Sequence, residues 1–527
     1  MALTDTPAKA SDEGAAVAAD DDTSRSAPTA IEQIVGTGDH RTIGRLFIGL
    51  SLLFVTADLV LAALVNFNVA SRGDLLGDAV GVRMAMNNPL ALLLCGAMPL
   101  ILGLAIHLVP MQVGSPAIAF PRAAAASLWT WLLGTVLFSV AMTVNGSYGG
   151  SNLKMARLGP VAVGLICVAL LVGAVCVMVT VVSLRPAGMT LARVPHFSFS
   201  MLVAGFLWLV TLPSVIASIV LFHIHHPGAE EIAARAFPAL EWMFRQPSLY
   251  IVAIPVLGIV ADVAPGIARS RIKMYGAVQG MIGLFGLLAF GAWAQGSTQQ
   301  STLIWAAFAV GAGLPVLGVL GMSLDAVRLG SPKPRAALAG AVLAPLVLLL
   351  AAATGLLAAI DTLGKGQLVG FTVGGFDAAG GGPAGPGLVM GQFYFVIAAV
   401  VIASITACWY WGARLVDGGF AEGVGKLVVP LAFLGGALFG GGHLLLALVR
   451  PSADDSRVFA GVAGAGGVVL ALAAVATLGV LLQRLVSPSA AATDGGGATL
   501  EWAAAELDLG SIVVESPYPL LDQKGAE

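Results

Sequence analysis

The chain has 527 residues, of which 58% are hydrophobic and only 10% charged, with a net charge of −3. Such a composition, with a mean hydropathy of +0.92, excludes a soluble protein and a nucleic-acid-binding one and describes a polytopic membrane protein. Apolar runs without period-2 alternation also exclude a β-barrel, whose lumen-facing positions would be polar.

Residues 1–39 are rich in Ala, Asp, Ser and Thr and carry no apolar core, so they read as a disordered tail. They hold no short apolar stretch of the signal-peptide kind, and the first long helix is expected to direct insertion. About twelve apolar runs long enough to span a bilayer as helix follow: 44–66, 89–111, 124–144, 160–183, 200–222, 247–264, 276–295, 302–323, 337–359, 388–411, 427–449 and 458–483. One membrane domain over residues 40–486 is the result. The Gly-rich stretch 366–387 lacks a phosphate-binding pattern and reads as a connector between spans. Residues 487–527 form a C-terminal tail, in which 499–509 have the character of a short acidic helix behind a Gly495-Gly496-Gly497 linker. Lys and Arg are modestly more frequent in the loops on the side of the two termini, which predicts cytoplasmic termini in a cell (inner) membrane. Cys95, Cys167, Cys176 and Cys408 all fall within spans without CxxC spacing and read as small apolar residues.

Several short motifs occur in one order along nearly the whole chain. They are Asp39-His40-Arg41-Thr42-Ile43-Gly44, Leu108-Val109-Pro110 with Gly114-Ser115-Pro116-Ala117-Ile118-Ala119-Phe120-Pro121-Arg122, Arg185-Pro186-Ala187-Gly188-Met189-Thr190, Gln246-Pro247-Ser248-Leu249-Tyr250, Ala292-Trp293-Ala294-Gln295-Gly296, and Thr499-Leu500-Glu501-Trp502 with Ser516-Pro517. In this order they resemble the DHKxIG, LVP…GAPDMAFPR, RAPGMT, HPEVY, VWAHH and TLEW…SPP motifs of haem–copper oxidase subunit I. The FPR loop and the RPAGMT match are specific in combination. The resemblance implies an all-α polytopic membrane protein with about twelve transmembrane helices in a subunit I-like bundle.

It also implies where cofactors would bind, and there this sequence departs from the family. The low-spin haem ligands fall on Asn88 and Phe393, the high-spin haem ligand on Gly391, and the three copper ligands on Gln246, Gln295 and Gly296. Glycine and phenylalanine offer no side-chain lone pair, and amides are poor ligands for haem iron or copper. Seven histidines exist in all, and none lies in spans 6, 7 or 10. The supporting positions change as well. The proton-path acid becomes Ala117, the Glu of HPEVY becomes Ser248, and the second path's Thr and Lys become Val316 and Val319. The propionate-binding arginines become Ser452 and Ala453, and the magnesium pair becomes Pro383 and Ala384. Tyr250 stands where the family has its cross-linked tyrosine and, lacking a histidine partner, reads as a core aromatic.

Other residues remain to be placed. His223, His225 and His226, with Glu230 and Glu231 nearby, are the candidate metal ligands, although the same stretch reads as a polar helix end broken by Pro227. Asn88, Gln246, Gln295 and Arg245 put polar groups near the former metal sites, and Gln246 and Gln295 are expected to pair or to line a wet pocket. Asp58 is the most conspicuous acid within a span and is expected to be protonated or paired with a hydroxyl.

The sequence thus predicts a subunit I-like integral membrane protein without haem or copper. Such a protein would be a non-catalytic scaffold or accessory subunit, beside lipid and relatives of oxidase subunits II and III. The vacated haem space would be contracted, or filled by lipid or quinone. Two alternatives stay open. One is an active terminal oxidase subunit with haem and copper held by atypical ligation, through His443 or His223. The other is a small-molecule or metal transporter using the histidine-rich segment.

Overall fold

The computed structural model describes residues 35–226, 228–235, 240, 243, 248–290, 307–308, 310–363, 386–448, 453–488, 497–503, 514 and 516–523. The chain divides into two units, Met1–Thr37 and Gly38–Glu527. Among its described residues, the second unit is built from twelve long helices. They are α1 (His40–Ala70), α2 (Asp78–Gln112), α3 (Pro121–Thr143), α4 (Leu158–Ser183), α5 (His196–His225), α6 (Ile254–Ala268), α7 (Tyr275–Phe290), α8 (Gly313–Leu329), α9 (Ala336–Leu363), α10 (Pro386–Tyr410), α11 (Glu422–Leu448) and α12 (Ala453–Val486).

Among the described residues, ten helices or helical segments are long and apolar enough to cross a membrane, and they correspond to α1–α6 and α9–α12. The other two expected spans differ from their sequence boundaries. α7 is described to Phe290 rather than to 295, and α8 begins at Gly313 and runs to Leu329, six residues beyond the expected 323. Residues 291–306 lie outside the described residues.

Local chemistry sets several helix ends. The Asp39 carboxylate accepts from Arg41 N at 3.1 Å and Thr42 N at 3.0 Å, capping α1. The same bonds, with one from the Thr42 hydroxyl, hold this acid below its usual range although burial pushes it up. Phe120 takes a left-handed conformation (φ 55°) to turn the chain into Pro121, the first residue of α3. α2 contains Pro89, and its next turns, Ala91–Ala97, widen into a π-helix.

Apolar windows of α2, α6 and α10 are buried along their whole length, whereas those of the other spanning helices are one-third to just over half buried. Contacts run around the remaining nine helices in the closed sequence α1, α3, α4, α5, α7, α8, α9, α11, α12 and back to α1. Three central helices therefore stand inside a ring of nine.

Because lipid is as apolar as the helices, association relies on close packing of small residues. A Cβ at Gly103 of α2 would lie 2.6 Å from Phe47 Cβ of α1. A Cβ at Gly466 of α12 would run into the Phe439 backbone of α11, and one at Gly436 of α11 would lie 2.6 Å from Ala398 Cβ of α10. Gly479, also on α12, meets nothing within 4 Å.

This difference is testable. Gly466→Ala forces two backbones apart and should destabilise the bundle by roughly 1–3 kcal/mol in detergent unfolding. Gly479→Ala should leave the midpoint unchanged or raise it slightly.

Candidate functional site

The positions to which the family's metal ligands map, where they are described, sit on the enclosed helices. Asn88 of α2 is 1% exposed, and its Nδ2 donates to the Asp58 carbonyl of α1 at 2.8 Å. A carbonyl only accepts, so the amide's orientation is fixed and its Oδ1 points elsewhere. That oxygen and Asp58 Oδ2 are both buried with no hydrogen-bond partner among the described residues. The hydroxyl expected to pair with Asp58 is thus not at that oxygen. The helix pair is instead tied through the Asp58 backbone.

On α10, a Cβ at Gly391 would be 3.2 Å from Leu444 N and 3.5 Å from Gly440 O of α11. The Cβ direction of this residue faces the α11 backbone, which would have to give by a few tenths of an ångström to admit a Cβ. Gln392, 1% exposed, donates through Nε2 to the Tyr250 hydroxyl at 2.9 Å. Tyr250 donates to Ala351 O of α9 at 3.4 Å, and its ring centroid lies 5.4 Å from that of Phe285 on α7. Tyr250 is a core aromatic, as the sequence indicates, but it is also the polar junction of three helices. Phe393 is fully buried and packs edge-on against Tyr394, which stacks 4.5 Å from His443 of α11. His443 Nε2 is buried without a hydrogen-bond partner among the described residues.

Arg245, Gln246, Gln295 and Gly296 lie outside the described residues, and so does the expected Gln246–Gln295 contact. His223, His225 and His226 are described, at the end of α5. The Nδ1 atoms of His223 and His225 lie 2.9 and 2.8 Å from the carbonyls of Ile219 and Leu221, to which each N–H donates. His226 Nδ1 lies 3.2 Å from Glu231 Oε2. Each ring is held separately. Among the described residues, no three His, Cys, Asp or Glu side chains form a group that could hold a metal.

The most extensive buried polar cluster lies at the end of the bundle where α1 begins, and sequence reasoning missed most of it. Asp262 of α6 is 5% exposed and caps α5, accepting from His196 N at 3.0 Å and Phe197 N at 2.9 Å. Gln112 at the end of α2 joins it, with Nε2 at 3.3 Å from Asp262 Oδ2 and Oε1 accepting from Ser198 at 2.6 Å. Into this cluster the C-terminal segment inserts Glu501, 4% exposed. Its Oε1 accepts from Trp411 Nε1 at 2.8 Å, Thr499 Oγ1 at 2.7 Å and Gln112 Nε2 at 3.4 Å. Trp502 stacks 5.4 Å from Tyr410, with the Arg414 guanidinium 5.2 Å above its ring. Burial, and then the Asp262 charge, raise the Glu501 carboxyl above its ordinary value, against the hydrogen bonds from Trp411 and Thr499.

Two expectations change here. Asp58 is not the most enclosed acid, since its residue is half-buried whereas Asp262 and Glu501 are buried. The available signal was an acid inside the apolar run 247–264. Within the expected acidic helix over 499–509, the described residues are a 3-10 turn, Leu500–Trp502, followed by extended Ala503, and 504–509 lie outside the described residues.

Residues 42–364 match the family model for cytochrome C and quinol oxidase polypeptide I. A putative cytochrome c oxidase subunit 1-beta of Streptomyces coelicolor is 30% identical over 279 residues, 49% of each chain. A heme-copper oxidase subunit I+III of Aeropyrum pernix is 26% identical, over 77% of this chain and 51% of that protein. The chain spans about half the length of the curated relatives it matches. In fold it is similar to a chain of a heme-copper terminal oxidase dimer solved by cryo-EM, with a TM-score of 0.63 and 14% identity, over 92% of this chain and 89% of that one.

The Glu501 contact carries a pH dependence. A carboxyl raised by docking stabilises the docked segment fully below its ordinary value of 4.5 and loses that contribution as pH rises through the raised value. Hydrogen-exchange protection over 497–503, corrected for intrinsic rates, should be highest below the ordinary value of 4.5 and fall as pH rises above it. Glu501→Gln should flatten that profile while keeping an acceptor for Trp411.

Proposed function

Since the chain belongs to the cytochrome C and quinol oxidase polypeptide I family, we propose that it is a member without haem or copper, acting as a non-catalytic scaffold subunit of a membrane assembly. The observation that carries this reading is Gly391. It stands at the high-spin haem position, offers no side-chain donor, and sits so close to the α11 backbone that a Cβ there would be 3.2 Å from Leu444 N.

The chemistry of the other positions supports it. Phe393 has no donor atom, and the Asn88 amide is committed to the Asp58 carbonyl. At the copper positions, Gln246 and Gln295 offer only amides and Gly296 offers nothing. The residues present do not fit two haems and a copper ion. What persists is the frame: three enclosed helices, a nine-helix ring and a docked C-terminal segment. A scaffold needs that frame and not the metals. Neighbouring oxidase-type subunits are the natural partners of such a surface, in the cell membrane with both termini cytoplasmic.

The test is a reduced-minus-oxidised visible spectrum of protein purified from haem-producing cells, with iron and copper assayed on the same sample. The expected result is no Soret band and well under one iron or copper per chain. A stoichiometric haem signal would overturn the proposal. Its loss in His443→Ala would then assign the ligand to the buried imidazole beside Tyr394.

A further inference from the structure

An isolated carboxylate inside a span is costly and has to be neutralised. Asp58 lies near the middle of α1, beside a lipid-facing stripe of exposed residues, Leu53, Ala57, Val60 and Leu64. The residue as a whole is half-buried, but its Oδ2 is buried and has no hydrogen-bond partner among the described residues. Asn88 of α2 meets it from inside the bundle, donating through Nδ2 to the Asp58 carbonyl at 2.8 Å. That bond fixes the amide and leaves Asn88 Oδ1 as a second buried acceptor without a donor. Two residues already in contact therefore share one deficit.

The surroundings narrow what can meet it. Residues 84–106 of α2, 124–143 of α3 and 458–483 of α12 belong to the helices packed against α1, and their only titratable side chain is the Cys95 thiol. Cys95 faces Asp58 from the π-helical turn and brings no positive charge. The basic groups of these helices, Arg83, His107, Arg122, Arg457 and Arg484, stand nearer the helix ends. A divalent metal collects about six oxygens, and no three His, Cys, Asp or Glu side chains gather for one among the described residues. A proton needs only the two oxygens. It cancels the carboxylate charge and turns one acceptor into a donor for the other.

We propose that Asp58 and Asn88 form a proton-binding site within the membrane. The carboxylate takes one proton on Oδ2, becoming a neutral acid, and the new O–H donates to Asn88 Oδ1. The exposed stripe beside Asp58 leaves the acid within reach of a small apolar reagent dissolved in the bilayer.

The test uses the full chain in phosphatidylcholine vesicles treated with dicyclohexylcarbodiimide, which attacks protonated carboxyls from the apolar phase, with the adduct located by peptide mass spectrometry. Asp58 should be modified, and labelling should fall roughly tenfold per pH unit above the titration midpoint as the proton leaves. In parallel, the infrared C=O band of a protonated carboxylic acid should appear in the wild-type minus Asp58→Asn difference spectrum. Asn88→Leu should keep that band and move it to higher frequency, because the O–H loses its acceptor. A difference spectrum without the band would overturn the proposal. So would protection of Asp58 from the reagent by sodium ions at constant pH, which would make the site one for a metal cation. An unmoved band in folded Asn88→Leu rejects Asn88 as the acceptor. Should Asp58→Asn fail to fold, labelling of wild type decides: an adduct at Asp58 that is absent, or independent of pH, rejects the bound proton.

Discussion

Close backbone approach is the constraint on which the rest of this bundle depends. In hydrocarbon, two apolar helices gain nothing by hiding from solvent and must gain it by touching. Glycines at 103, 436 and 466 mark where side chains would prevent that contact. The same requirement accounts for the residue at 391. Position 391 carries no side chain, and α11 comes up against it.

Polar groups inside the bundle answer to a second demand, that each buried donor or acceptor find a partner without water. The central helices meet it with neutral groups that bridge between elements: Gln392 to Tyr250 to Ala351, and Asn88 to the Asp58 carbonyl. At the end of the bundle where α1 begins, two carboxyl groups meet around Gln112, and there the C-terminal segment acts as a plug. A segment held by a buried carboxyl is specific in register, because Oε1 of Glu501 accepts from two side chains outside the segment, Trp411 and Gln112, as well as from its neighbour Thr499. It is also sensitive to ionisation, since the carboxyl's second oxygen is buried with no hydrogen-bond partner among the described residues.

Much of the architecture was legible in the sequence because bilayer thickness imposes a length on apolar runs. Ten spans among the described residues follow from these runs. Ligand-equivalent positions were assigned from motif order, and Asn88, Gly391 and Phe393 lie on the enclosed helices α2 and α10. The bonding partners were not. Tyr250 and Gln392 are 142 residues apart, beyond the reach of any local pattern, and only the fold brings them to 2.9 Å. Asp262 was hidden for a different reason. In an apolar run a single acid reads as noise until a helix start is found for it to cap.

The two sides of the enclosed trio differ in how completely they close around the positions where ligands would stand. On the α10–α11 side, closure is steric: Gly391 against Leu444, then the Phe393, Tyr394 and His443 rings in succession. On the α1–α2 side, closure is polar and incomplete, because Asn88 Oδ1 and Asp58 Oδ2 are two acceptors without a donor among the described residues. The π-helical turns Ala91–Ala97 begin three residues after Asn88, so the backbone is widened on that side too. Small residues close a gap where two helices are free to approach. Where the neighbouring helix carries an acid, approach alone is not enough, and the site keeps a demand for a proton or a hydrogen-bond donor. Among the described residues, buried polar atoms without a hydrogen-bond partner therefore stand on both sides: the two acceptors between α1 and α2, and His443 Nε2 beside α10.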